Sequence, residues 1–233
     1  MIVIRLFPNI AVALVLPVCL LRGAGAEPPD QSRIVDGMMR EQAARFEHID
    51  GYTRVQHYSV TSGRFGVTAG MVVRIHRDRV KGKTFEVLSR TGSPVIQSHV
   101  FDALVEAEMA TSMQGGDLLT RENYSFQLVG EEDFGGRRCY VLETNPKRKD
   151  KRLLKGKIWL DTEDFGVVHV EGRPSESLSL WVGKPMIVQD YTKISGFWWA
   201  TRRNSYMENF LLGKSDLVID YKDYQFEFRQ PPQ

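Results

Sequence analysis

The chain has 233 residues, 42% of them hydrophobic and 26% charged, with a formal net charge of +2 at pH 7. This length and composition suit a folded protein with one sizeable domain. The nearly neutral charge argues against a nucleic-acid-binding protein that relies on bulk charge, and two cysteines are too few for a disulfide-stapled scaffold.

The N-terminal segment has the order of a secretory signal peptide. Arg5 precedes a mostly apolar stretch over residues 6–21, and three small residues follow at 24–26. Charged, apolar and small-residue regions in this order are typical of a cleavable export signal. The apolar stretch is interrupted by prolines and is short for a membrane-spanning helix. We therefore expect a signal peptide over residues 1–26 and a single exported domain over residues 27–233.

Two segments have the spacing of amphipathic helices. Apolar residues recur every three or four positions from Ile34 to Ile49, which predicts a helix ending near Gly51. The same spacing after Pro94 predicts a second helix, closed by Gly115-Gly116. Each helix would present one apolar stripe to a neighbouring surface.

Most of the remaining chain has the two-residue period of β-strands. Apolar residues alternate with others between Val67 and Ile75, which predicts a strand with one buried face. From Asn123 onwards, short alternating segments separated by turn residues predict a continuous antiparallel meander. The apolar positions change parity between Tyr221 and Tyr224, which predicts a β-bulge in the last strand.

These elements predict a mainly β fold with helices. Two amphipathic helices need an apolar surface to cover, and a long meander provides one. A sheet of about ten strands tends to curl. We expect a strongly curved antiparallel sheet, an unclosed β-barrel, of about ten strands with a helical lid over its concave face. The hollow would be filled by side chains or would hold an apolar ligand.

Four segments of the second half resemble one known family. They are residues 136–147, which end in Asn145-Pro146-Lys147, then residues 157–161 with Trp159-Leu160-Asp161, the Phe197-Trp198-Trp199 segment, and residues 220–226. In this order they resemble the outer-membrane lipoprotein-sorting family, the LolA-like periplasmic lipoprotein carriers.

The resemblance implies a periplasmic, non-enzymatic carrier or binder of lipoproteins or lipid acyl chains. Such a protein would take part in outer-membrane lipoprotein sorting or lipid transport and would need no cofactor. Its partners would be the lipid or lipoprotein cargo and inner- and outer-membrane transport proteins. The alternative is a periplasmic envelope sensor or structural interaction module with a filled core.

Aromatic, methionine and aliphatic residues on the predicted inner surfaces are the candidates for an apolar cavity. Unbranched methionines adapt to variable apolar shapes, which suits a carrier. Trp198 and Trp199 are neighbours in a strand, so only one of them can face the hollow. The candidate lining residues are Met38, Met39, Phe46, Val73, Phe85, Phe101, Leu104, Phe126, Leu128, Tyr140, Leu142, Trp159 and Trp199.

One strongly basic run has two interpretations. It could make transient contact with anionic lipid headgroups, where each cation near the surface contributes ~1 kcal/mol. The interpretation that we favour is a solvated hairpin tip whose charges protect sheet edges, because charge runs at turns are common. The run contains Lys147, Arg148, Lys149, Lys151 and Arg152.

Catalytic and metal-binding motifs are missing from the sequence. It contains no HExxH, Gly-x-Ser-x-Gly, P-loop or CxxC pattern. His169 and Glu171 could share a strand face, but such a pair is more often a solvated surface pair than a metal or acid–base site. We therefore expect no catalytic residue, no metal site and no nucleic-acid partner.

Overall fold

The computed structural model describes residues 30–63, 66–110, 119–178, 184–209 and 213–229. The expected signal peptide and the helix end expected at Gly115-Gly116 lie outside these residues. None of the described helices is long and apolar enough to cross a membrane. The elements are α1 (Gln31–His48), β1 (Ile49–Ser62), β2 (Val67–Asp78), β3 (Gly82–Gly92), α2 (Pro94–Ile96), a π-helical turn (Gln97–Phe101), α3 (Asp102–Ala110), β4 (Tyr124–Phe134), β5 (Arg137–Pro146), β6 (Leu154–Asp161), β7 (Val167–Pro174), β8 (Met186–Ile194), β9 (Phe197–Asn209) and β10 (Gly213–Phe228).

The ten strands form one sheet in the order β3-β2-β1-β10-β9-β8-β7-β6-β5-β4. Each pair of neighbours is antiparallel, and the pairing of β1 with β10 joins the N-terminal hairpins to the C-terminal meander. β3 and β4 are the two edges, so the sheet remains open. The predicted fold class, a curved and unclosed antiparallel sheet with helices, is confirmed.

Helix α1 covers one half of the concave face. Ile34, Val35 and Met38 are fully buried against a cluster that includes Tyr140 and Leu142 of β5. The three positions lie on one side of the helix because residues three and four apart share a face. The predicted apolar stripe of the first helix therefore makes the contact with the sheet.

Side-chain to backbone hydrogen bonds hold α1 at its two ends. The amide of Gln31 bridges β4, donating to the Phe126 carbonyl over 2.9 Å and accepting from the Leu128 amide over 2.8 Å. At the other end, Arg45 Nη1 donates to the Trp198 carbonyl over 2.7 Å. The helix thus spans from edge strand β4 to β9.

The helical segment formed by α2, the π-turn and α3 covers the other half. Phe101 and Val105 are buried against Met71, Val73 and Ile75, which occupy alternate positions of β2. The apolar residues that were predicted to alternate in this strand therefore form its buried face. Gln97, in the π-turn, donates to the carbonyls of β2 and β3 and anchors the segment to that hairpin.

The β-bulge predicted in the last strand is present. The register of β1 against β10 shifts between Thr53 and Val55, whose partners are Gln225 and Lys222. Asp223 lies at the shift with φ of +53°. The extra residue changes which side chains face inward, and this accounts for the change of parity in the sequence.

The opposite face of the sheet carries a separate apolar cluster. Cys139 and Val141 of β5, Trp159 of β6 and Trp198 of β9 are buried there. The two indole nitrogens reach acidic side chains, Trp159 that of Glu132 over 3.0 Å and Trp198 that of Asp164 over 3.0 Å. β5 is therefore buried on both faces, unlike a strand that exposes one face to solvent.

Candidate functional site

A cavity of about 250 Å³ lies between the C-terminal half of α1, helix α3 and the concave face of the sheet. It is located where the clusters under the two helical segments meet, because side chains of both contribute to its wall. The wall consists of Arg45, Phe46, Tyr52, Arg54, Arg77, Lys83, Glu108, Leu119, Tyr124, Thr144, Arg152, Leu154, Ile158, Val170, Gln189, Tyr191, Trp199, Ala200, Arg203 and Tyr221.

The charges of this wall are very unequal. Among the described residues, Glu108 is the one carboxylate of the wall, whereas six cations line it: Arg45, Arg54, Arg77, Lys83, Arg152 and Arg203. Arg152 is neutralised locally, because its guanidinium forms hydrogen bonds with both carboxylate oxygens of Asp150. The other cations give the cavity an excess of positive charge.

Glu108 neutralises part of this excess. Its carboxylate accepts hydrogen bonds from Arg54 Nη2 and Lys83 Nζ, both over 3.0 Å. Burial alone would raise the pKa of Glu108, but the two cations outweigh it and lower the pKa. Glu108 is therefore ionised at neutral pH and ties α3 to β1 and β3.

Cations and aromatic rings alternate along one wall. The Arg45 guanidinium lies 4.8 Å from the Phe46 ring centre and 4.9 Å from the Trp199 ring centre. On the same Phe46 ring, the Arg77 guanidinium lies at 4.7 Å, and it is 5.6 Å from the Tyr52 ring. Such contacts stabilise a cation and hold its plane against the ring.

Arg54 continues this alternation on β1. Its guanidinium lies 5.6 Å from the Tyr52 ring and 4.8 Å from the Tyr221 ring. Burial opposes the charge of Arg54, but the surrounding tyrosines and Glu108 raise its pKa overall. Burial lowers the pKa of Arg77, which Tyr52 partly offsets. Both guanidinium groups stay charged at neutral pH, because arginine side chains remain protonated in proteins.

Arg203 points inward from β9. It pairs in register with Ile219 of the concave core, and its Nε donates to Gln189 Oε1 over 2.6 Å. Burial disfavours its charge, but Tyr221 and Tyr191 raise its pKa overall. The cavity thus contains another permanent cation, held by a neutral amide.

Two buried nitrogen atoms at the cavity wall have no hydrogen-bond partner among the described residues. They are Arg45 Nε and the indole nitrogen of Trp199. A second cavity of about 180 Å³ at the end of α1 shares Arg45, Phe46, Tyr52, Arg77 and Trp199 with the first. The unsatisfied donors therefore lie at the boundary between the two cavities.

The structure distributes the predicted lining residues over several places. Phe46 and Trp199 line the cavity. Phe85, on edge strand β3, is 49% exposed, and Trp159 lies in the cluster on the opposite face. The others pack in the two clusters beneath the helices: Met38, Met39, Phe126, Leu128, Tyr140 and Leu142 under α1, and Val73, Phe101 and Leu104 under the second helical segment. Ligand contact by any of them stays a prediction.

The two adjacent tryptophans separate as expected for neighbours in a strand. Trp199 packs with Tyr52 and Tyr224 on the cavity side, whereas Trp198 packs with Cys139 and Val141 on the other face. The inward arginines Arg54, Arg77 and Arg203 were not predicted. In β1 the available signal is the pair Arg54 and Gln56, which occupies two successive inward positions between Tyr52 and Tyr58.

The basic run lies on the surface, and several of its members have local partners. Lys147 donates to the Arg121 carbonyl over 2.7 Å, Arg148 to Asn123, and Arg152 to Asp150. An open groove of about 680 Å³ lies beside the run, and the described part of its wall contains six cations and no carboxylate. These cations are Lys147, Arg148, Lys149, Lys155, Arg173 and Lys184.

His169 differs from the expectation of a solvated surface pair. It is 3% exposed and contacts Asp190 over 2.6 Å and Glu171 over 3.2 Å. The rings of Phe134 and Trp159 cover it, at 4.2 and 4.9 Å between ring centres. Over residues 30–63, 66–110, 119–178, 184–209 and 213–229, no three His, Cys, Asp or Glu side chains are grouped as metal ligands.

Several solved structures are similar to this chain, whereas no curated protein matches it by sequence. A DUF1329 family protein from Desulfovibrio piger has 14% identity over 84% of this chain and 92% of its own, with a TM-score of 0.47. A putative outer membrane lipoprotein-sorting protein domain from Vibrio parahaemolyticus has 14% identity over 85% and 94%, with a TM-score of 0.46.

A LolA superfamily protein from Nitrosomonas europaea has 15% identity over 86% of this chain and 94% of its own, with a TM-score of 0.41. The resemblance to LolA-like proteins predicted from the sequence is confirmed by matches of this description. A family model described as "-like: Uncharacterized protein" matches residues 108–232, which is more than half of the chain. The chain therefore belongs to the family that this model describes.

Proposed function

We propose that the protein is an exported, non-enzymatic binder or carrier of amphiphilic molecules, such as lipid acyl chains or the lipid part of lipoproteins. The observation that carries the proposal is the cavity between both helical segments and the concave sheet. Leu154, Ile158, Val170 and Trp199 give its wall apolar surface for a hydrocarbon chain. Each methylene group buried there would contribute about 0.8 kcal/mol.

Access to the cavity would require movement of α1. The helix contributes Arg45 and Phe46 to the wall, and side-chain hydrogen bonds of Gln31 and Arg45 hold its ends. Ile34, Val35 and Met38 keep the N-terminal half of the helix packed, so the movement would be confined to the C-terminal end. There the hydrogen bond from the charged Arg45 side chain would be broken at a cost of about 1.5–3 kcal/mol. Binding of a hydrocarbon chain can offset this cost, so this end of α1 could move aside to admit and release the ligand.

The finer proposal is a periplasmic protein, exported by a signal peptide over residues 1–26 and folded as one domain over residues 27–233. Its cargo would enter outer-membrane lipoprotein sorting or lipid transport, with membrane proteins as donor and acceptor. The packing of most predicted lining residues in the core favours a second candidate, an envelope sensor or interaction module in which a smaller ligand controls protein contacts.

Native mass spectrometry of protein purified from the periplasm without detergent tests the binding function. We expect a bound species with the mass of a lipid or lipidated peptide, which disappears when the protein is denatured. Protein that arrives unliganded and binds no fluorescent fatty acid would contradict both the carrier and the ligand-controlled sensor.

We also propose that the basic groove contacts anionic membranes. The double variant Lys149→Glu with Lys155→Glu should bind vesicles containing phosphatidylglycerol at least tenfold more weakly at low salt, since each lost cation removes ~1 kcal/mol. Cosedimentation measures this. The control, Lys214→Glu with Lys222→Glu, makes the same charge change at exposed positions elsewhere. Equal losses in both double variants would show that overall charge, not the groove, determines binding.

A further inference from the structure

We propose that the cavity recognises the anionic group of its ligand, a carboxylate or a phosphate monoester, through Arg45, Arg77 and Arg203. The inference rests on the proposed function, because the anion is placed at the charged end of an amphiphile. It adds a chemical selectivity that an apolar cavity would not have.

The charge balance of the described wall is the first argument. Glu108 and Asp150 already pair with Arg54, Lys83 and Arg152. Arg45, Arg77 and Arg203 form no ion pair with any described carboxylate, although Glu41 lies within electrostatic range of Arg45 and Glu108 within that of Arg203. Guanidinium groups remain protonated in proteins, so these three charges persist at the pH at which the protein works.

The second argument is burial. Arg77 is 9% exposed, and Arg203 is half-buried. A buried charge is costly unless a counter-charge or hydrogen bonds satisfy it. Arg203 uses its Nε for Gln189, and Arg45 Nε has no partner. A ligand anion would reduce this cost, whereas a neutral or cationic ligand would not.

The third argument is that the guanidinium groups are held in place before a ligand arrives. The Phe46 ring contacts both Arg45 and Arg77, which brings these two cations together, and Gln189 holds Arg203 through its Nε. Stacking on rings restricts the planar forks of Arg45 and Arg77, which lowers the entropy lost on binding. The planar fork also matches the two oxygens of a carboxylate or phosphate.

Isothermal titration calorimetry of the full exported chain with matched probes tests the inference. The probes are dodecanoate, dodecyl phosphate, dodecanol and dodecyltrimethylammonium, all below micelle formation, together with acetate and inorganic phosphate. We expect the two chain-bearing anions to bind at least tenfold more tightly than dodecanol, as charge-assisted hydrogen bonds would give. Of the four chain-bearing probes, dodecyltrimethylammonium should bind most weakly.

Arg203→Met should lower the ratio of dodecanoate affinity to dodecanol affinity at least tenfold. Arg202→Met is the matched control, since Arg202 is exposed on the opposite side of β9 and pairs with Asp220. It should retain the full preference. Arg203→Lys, which keeps the charge without the planar fork, should be intermediate and covers the case in which the methionine variant does not fold.

The outcomes separate the two proposals. Equal binding of dodecanol and dodecanoate by the unaltered protein would overturn anion recognition and leave the binding function intact. Failure of every chain-bearing probe would overturn the proposed function. Inorganic phosphate binding as tightly as dodecyl phosphate would support the anion site and contradict an amphiphile as its ligand.

Discussion

Replacing Ile34 by aspartate is expected to lower the free energy of unfolding by about 4 kcal/mol, among the largest effects of a single substitution. Ile34 is fully buried between α1 and the concave sheet, in contact with the cluster that contains Leu142 and Ile158. A carboxylate there would have no counter-charge in the cluster, and burying an unpaired charge is very costly. Urea denaturation followed by circular dichroism measures the change.

Arg33→Asp provides the control for this prediction. Arg33 is the preceding residue of the same helix and is exposed, so the same new side chain should change stability by no more than about 0.5 kcal/mol. Ligand binding should also fail in the Ile34 variant, because α1 forms part of the cavity wall. Equal stability of the two variants would contradict the packing of α1 on the sheet.

Glu108→Gln is the second prediction with a large effect, a loss of about 3 kcal/mol at neutral pH. The carboxylate is the common partner of Arg54 and Lys83, and its removal leaves these cations facing each other. Breaking a buried pair by removing one partner is strongly destabilising. Thermal or urea unfolding of the variant and the unaltered protein gives the difference.

The difference in stability between the unaltered protein and Glu108→Gln should become smaller as the pH falls. The pKa of Glu108 is lowered in the folded state, so its ionised form stabilises the protein above the unfolded carboxyl pKa of about 4.3. This stabilisation is lost as the pH falls through the lowered pKa. The gap between the unaltered protein and Glu108→Gln should therefore be full at pH 7 and shrink below about pH 4.

Glu106→Gln is the matched control. Glu106 lies on the same helix but is exposed, and its substitution should leave both stability and its pH dependence close to those of the unaltered protein. A pH-independent gap for Glu108→Gln would show that the carboxylate acts by packing rather than by charge.

Periodicity predicted the parts of the fold whose two faces differ in polarity. Ile34, Val35 and Met38 recur at helical spacing because α1 has one buried side. β2 alternates for the same reason, and the parity change near Asp223 marks a bulge with a real shift of register. The curved, unclosed sheet was predicted for two reasons. A sheet of about ten strands tends to curl, and two amphipathic helices need an apolar surface to cover.

β1 was not predicted from the sequence, for the same reason that the inward arginines of the cavity were not predicted. Two of its inward positions are the polar residues Arg54 and Gln56, between Tyr52 and Tyr58, so the apolar alternation is interrupted. Local patterning treats an inward arginine as a solvated residue. Its buried role depends on Glu108, which lies 54 residues away in the chain.

Trp159 illustrates a different limit. Ile158, Trp159 and Leu160 of β6 are all buried, because Ile158 and Leu160 pack beneath α1 and Trp159 packs in the outer cluster. A run that is apolar at every position does not indicate which face is concave. The sequence could therefore separate Trp198 from Trp199 but could not assign Trp159 to a side.

Fluorescence quenching by a brominated fatty acid tests most directly whether the ligand binds inside the cavity. Bromine quenches an indole only at contact distance, and Trp199 and Trp198 lie on opposite faces. We predict that Trp199→Phe loses most of the quenching, whereas Trp198→Phe retains it. Quenching that persists in Trp199→Phe and disappears in Trp198→Phe would place the ligand on the outer face and contradict the proposed binding site.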